Sequence, residues 1–95
     1  MPFEVWDLQF DDDNEAEFGR HHFSADEILQ VLDNAPVFFR NRKRHRTTLL
    51  MVGPTNGGRM LTVPLAPVPV EGVWRPATAW DSDADETLRY TAQRH

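Results

Sequence analysis

The sequence predicts an α+β fold: an antiparallel β-sheet meander packed against an N-terminal helix pair, with a short C-terminal helix. Three observations carry this expectation. The first third of the chain holds helix-start signals, an acid cluster and a Ser24/Glu27 pair at capping-box spacing. After Pro36 the apolar residues change from helical spacing to alternation, the period of a strand. Between two alternating stretches, Gly53, Pro54, Asn56, Gly57 and Gly58 supply the turn chemistry of a hairpin. At 95 residues and 11.0 kDa the chain makes one domain, 1–95, near the size at which a single core is only just sufficient.

Residues 3–10 alternate, with Trp6, Leu8 and Phe10 on one face and Asp7 and Gln9 on the other, which predicts a half-exposed strand. A short helix over 11–18 follows, its carboxylates gathered where a helix N-terminus favours negative charge and Gly19 placed for a left-handed C-terminal residue. Ser24 opens a second helix, 25–34, with Glu27 as its reciprocal capping partner and Phe23 stapling onto Ile28. Ile28, Val31, Leu32 and Ala35 form its apolar stripe, and Pro36 disfavours helical geometry at the residue before it. The two helices are expected to form an αα-hairpin.

Strands are expected over 37–40, 47–52, 59–66 and 73–80. Leu61, Val63 and Leu65 share a face, whereas Pro64 has no N–H to donate and calls for an edge position or a bulge. Pro67, Pro69 and Gly72 mark a longer connection, and Asp83 followed by Glu86 opens a terminal helix bearing Leu88, Tyr90 and Ala92. Trp6, Trp74 and Trp80 each fall in an alternating pattern and are expected as core pillars, with Trp74 and Trp80 on one face by parity.

Hydrophobic residues make up 40% of the chain and aromatic ones 11%, enough to build a core that a disordered chain could not. With no cysteine, a disulfide framework and a thiolate metal site are excluded. No apolar run reaches the roughly 18 residues a membrane span needs, and the acidic start lacks the basic opening of a secretion signal, so a soluble cytoplasmic protein without membrane association is expected. The net charge of −5 conceals a segregation: residues 1–34 carry ten acids against Arg20 alone, whereas 35–59 carry six bases and no acid. Such a chain can present a cationic patch to phosphates despite a pI of about 5.2.

The most polarised segment holds Arg40, Arg42, Lys43, Arg44, His45 and Arg46 behind Phe38 and Phe39. Cations beside aromatic faces are what an RNA backbone and its unstacked bases require; a solvated hairpin tip has the same composition. Arg59 and Arg75 sit on expected strands, where forked donors can hold a scissile phosphate or pair with one of the N-terminal acids. Four histidines offer proton transfer near neutral pH, and of these His21 is the best placed, either for catalysis or for closing the end of a helix. Their spacing does not suit a metal, and RNA cleavage needs none where a base, an acid and cations are present. Tyr90 is a candidate proton donor or stacking platform, with core packing as its alternative. No nucleophilic triad, phosphate loop or cofactor motif is present: Gly57, Gly58 and Arg59 lack the strand, lysine and helix of a Walker motif.

Several short motifs together resemble the BrnT-type toxins of bacterial type II toxin–antitoxin systems. Trp6 and Asp7 look like that family's early Trp-Asp pair, 20–23 resembles its Lys-His-Gly-Val turn, and Ser24 with Glu27 opens the second helix as in the family. Val52 and Gly53, then Gly58 and Arg59, resemble its central hairpin; 74–79 sits at its Arg-rich strand, and Glu86 and Tyr90 fall on its last helix. The resemblance spans residues 5–90. It implies a RelE-like fold, metal-independent endoribonuclease activity on single-stranded RNA, and a ribbon-helix-helix antitoxin as partner, with His21, Arg59 and Arg75 as the site and Arg40, Arg42, Lys43, Arg44 and Arg46 on the RNA. The sequence departs from the pattern at His22, where the family has glycine, and at Trp80 and Asp81, where it continues with basic residues. A non-catalytic protein-interaction module on the same fold is the alternative, and either reading leaves room for a homo- or hetero-oligomer.

Overall fold

The computed structural model describes residues 4–41 and 49–93. In chain order the elements are β1 (Asp7–Leu8), α1 (Asp12–Arg20), α2 (Ala25–Asp33), β2 (Val37–Arg40), β3 (Leu49–Pro54), β4 (Met60–Pro67), β5 (Val73–Pro76), β6 (Trp80–Asp81) and α3 (Ala84–Gln93). The class is α+β, as expected. Strands β2 to β5 form the antiparallel meander, and β1 adds to β5 in parallel, which makes the sheet mixed.

Each helix begins on a reciprocal cap. The Asp11 carboxylate accepts the Asn14 backbone N–H and the Asn14 side-chain Oδ1 accepts the Asp11 backbone N–H, both at 2.9 Å. Ser24 and Glu27 repeat the pattern for α2, as do Asp83 and Glu86 before α3. Helix α1 runs past the expected end at 18 and includes Gly19. Its left-handed residue is His22, at φ 64°: the His22 N–H reaches the Gly19 carbonyl at 3.1 Å and the Phe23 N–H reaches that of Phe18 at 2.9 Å. This double bond pattern is a Schellman closure, in which Phe18 and Phe23 meet in the core. Asn34 caps the C-terminal end of α2, and Ala35, also left-handed at φ 53°, is exposed and not part of the apolar stripe.

The register divides the sheet into two faces. Leu49 and Met51 of β3, with Leu61, Val63 and Leu65 of β4, point into the main core with Phe18, Ile28 and Val31. Full burial of each such side chain contributes roughly 1.5–3 kcal/mol. Helix α2 lies over β3 and β4 on this face, whereas α1 is tied toward the β5 edge, so the helix pair does not cover the sheet evenly. Leu50 and Val52 face the other way, toward α3, which leaves the N-terminal and C-terminal helices on opposite faces of the sheet.

Several expectations change here. The first strand shrinks to two residues, and Trp6, 63% exposed, rests on Gly72 instead of entering the core. Gly53 and Pro54 belong to β3, so the turn proper is 55–59; residues 47–48, where that strand was expected to start, lie outside the described residues. Pro64 is interior, not at an edge. Its β3 partner is Leu50, and its carbonyl accepts the Ala77 N–H at 3.0 Å. The missing N–H therefore points to the place where β4 changes partner from β6 to β5 and the ladder is interrupted anyway. The expected strand over 73–80 is split there by a bulge: Leu65 pairs with Pro76, but Thr62 pairs with Trp80, a shift of one residue.

Candidate functional site

Four polar side chains meet near the C-terminal end of α1. Glu17 and His21 stand four residues apart on one helical face, and their side chains bond at 3.0 Å between Oε2 and Nε2. The same Glu17 oxygen accepts the Thr78 hydroxyl at 3.0 Å, and Arg20 bonds the other oxygen. Arg20 first, then Thr78 and His21, hold the Glu17 carboxyl below the usual carboxylate range by bonding its charged form.

Arg59 reaches the same turn from the hairpin. The Thr55–Arg59 backbone bond at 2.9 Å and left-handed Gly58 at φ 87° fix its approach. Its guanidinium stands 4.2 Å over the Phe23 ring and donates to Asp81 at 2.7 and 3.2 Å. Nη1 lies 3.5 Å from the His22 carbonyl and 3.8 Å from the Glu27 carboxylate. The Asp81 bonds raise the Arg59 pKa and lower that of Asp81. Both side chains keep much of their surface in water, at 38% and 64% exposure, and such a pair contributes only about 0–1 kcal/mol.

Arg75 does not join them. It donates to Asp11 at 2.7 and 3.0 Å, at the opposite end of α1. Ten residues at about 1.5 Å each separate Asp11 from His21 by roughly 15 Å along the helix axis. This pair is the bond to an N-terminal acid that the charge pattern allowed. Arg40 is exposed at the end of β2 and forms no ion pair among the described residues. Tyr90 lies half-buried on α3, across the sheet from His21. Arg42, Lys43, Arg44 and Arg46 fall outside the described residues.

Two participants were not anticipated. Glu17 was signalled by its spacing from His21, whereas Asp81, the acid that interrupts the expected basic pattern, finds its role only through the pairing of β6 with β4. Among the described residues no three histidine or carboxylate side chains converge as a metal-binding group, and no helix is long and apolar enough to cross a membrane. The chain matches no protein-family model, no curated protein and no solved structure in the three comparisons made.

Proposed function

We propose that the protein is a BrnT-like toxin of a type II toxin–antitoxin pair, a metal-independent endoribonuclease acting on single-stranded RNA. The observation that carries this reading is that Arg59 reaches the His22 carbonyl, one residue along the chain from His21, whose ring Glu17 holds at the same end of α1. With Nε2 bonded to Glu17, Nδ1 of His21 is left to take the proton of an RNA 2′-hydroxyl. The freed oxygen attacks phosphorus, the P–O5′ bond breaks, and O5′ departs with a proton from solvent, leaving a 2′,3′-cyclic phosphate. Arg59, released from Asp81, stabilises the charged phosphorane through forked donors. In this reading Arg75 is a brace that fixes α1 against β5, and Arg40 with its basic neighbours in sequence holds flanking phosphates.

The order of elements, a helix pair, a meander and a terminal helix, supports a RelE-like scaffold. A ribbon-helix-helix antitoxin is the proposed partner, and the exposed Trp6, Val70 and Leu88 are side chains such a partner would cover. Induced expression tests the reading: growth arrest with loss of total RNA, relieved by His21→Ala in a folded protein, is expected. Unchanged growth and intact RNA at high levels of folded protein would reject it.

One observation favours the second reading, a non-catalytic interaction module. Arg59 and Arg75 are each closed by a carboxylate through two bonds. In such a module these pairs stay shut, and neither arginine substitution alters RNA.

A further inference from the structure

We infer that the groove between α3 and the outer face of the sheet is a nucleotide subsite, taking one unstacked, amino-bearing base with its phosphate at Arg40. This rests on the RNA reading above and adds to it a recognition site separate from the cleavage centre.

The groove encloses about 540 Å³, within the range of small-ligand sites. No residue of α3 is fully buried, and Glu86 ties the helix to β6 through the Trp80 indole. Half-buried Leu50 gives its floor apolar surface, with fully buried Val52 beneath, and Phe39 and Trp80 border it on strands β2 and β6. Strands β3 and β4 separate those two, so the groove is roughly 14 Å across at about 4.8 Å per strand. The indole of Trp80 is fixed in place: its Nε1 donates to both carboxylate oxygens of Glu86, at 3.1 and 3.2 Å.

The charges are arranged by end. Arg40 closes the β2 end, where the Arg89 guanidinium lies 5.7 Å from the Phe39 ring and 3.2 Å from Asp85. Asp83 and Glu86 close the β6 end with carboxylates only. An occupant therefore needs an anion at one end, a flat apolar body, and N–H donors at the other. A phosphate, ribose and amino-bearing base meet these requirements in that order. The acidic end repels a second phosphate and so fixes the direction of the chain.

The test is an NMR titration of the full chain with AMP, CMP, GMP, UMP and ribose 5-phosphate, following the Trp80 indole N–H and the Leu50 and Val52 amides. AMP, CMP and GMP are expected to shift these signals at millimolar concentration, with UMP, which lacks the amino group, about threefold or more weaker. Arg40→Glu and Leu50→Trp, the first reversing the anion end and the second filling the floor, are each expected to weaken AMP about tenfold in a folded protein. Glu71→Gln, at the distant β4–β5 connection, leaves binding unchanged. No shift with any nucleotide, equal shifts with ribose 5-phosphate, folded Arg40 and Leu50 variants that bind normally, or shifts only with a basic peptide would overturn the inference. Cleavage is not measured, so the two proposals fail separately: nucleotide binding without RNA cleavage removes the catalytic reading alone, and His21-dependent cleavage without these shifts removes the subsite alone.

Discussion

Arg75 closes on Asp11 with hydrogen bonds of 2.7 and 3.0 Å across 64 positions of sequence, tying the cap of α1 to β5. The Arg75 guanidinium, followed by the Asn14 N–H, lowers the Asp11 pKa from 3.8 to about 2. Because the folded value lies below the ordinary one, the stabilisation is fully present above the ordinary value and is lost as pH falls through about 2. Urea unfolding of the native chain and Asp11→Asn should therefore differ by a constant amount near neutral pH. The difference should shrink below about pH 4 and close near pH 2. A gap that persists unchanged to pH 2 would assign Asp11 a role independent of its charge.

His22 occupies a backbone position that suits glycine. At φ 64° its Cβ is strained, and the Schellman bonds around it hold the chain there. His22→Gly should stabilise the protein by about 1 kcal/mol, a rise of roughly 4–8 °C in thermal midpoint for a domain of this size. His22→Val should destabilise it. A lower midpoint for the glycine variant would show that the imidazole makes a compensating contact.

Asn14 is 1% exposed and donates through Nδ2 to the Gln9 carbonyl at 2.9 Å and the Pro76 carbonyl at 3.0 Å. It joins α1, the segment after β1 and the end of β5 in one bracket. Asn14→Ala strands both carbonyls and should cost about 2–3 kcal/mol in chemical denaturation. Asn14→Asp should cost more, since a carboxylate would face two carbonyl oxygens. Wild-type stability in Asn14→Ala would mean that the bracket is dispensable.

Local signals made the helices and the hairpin legible. Ser24 with Glu27 and Asp83 with Glu86 are complete within four residues, and the alternation of Leu61, Val63 and Leu65 survives because no bulge falls inside it. Trp74 and Trp80 show where local reading stops. Their even spacing promises one face, but the one-residue shift between β5 and β6 puts Trp74 against the main core and Trp80 on the α3 side. Glycine tolerates a left-handed position, so local reading favours Gly19, yet the Schellman closure with Phe18 and Phe23 in the core falls at His22. At the candidate site, the Glu17–His21 contact is written in helical spacing. The ends of the strands, which no short stretch encodes, decide that Arg59 meets the His22 turn and Arg75 meets Asp11.

The most direct measurement is cleavage of a single-stranded RNA by the purified chain in chelator, comparing His21→Ala, Arg59→Ala and Arg75→Ala with thermal midpoints recorded alongside. The expected result is cleavage by the native chain, a loss of about a hundredfold or more in the folded His21 and Arg59 variants, and a destabilised Arg75 variant that still cleaves wherever it remains folded. The contradicting result is a native chain that leaves RNA intact, or cleavage that depends on Arg75 and is indifferent to His21 and Arg59.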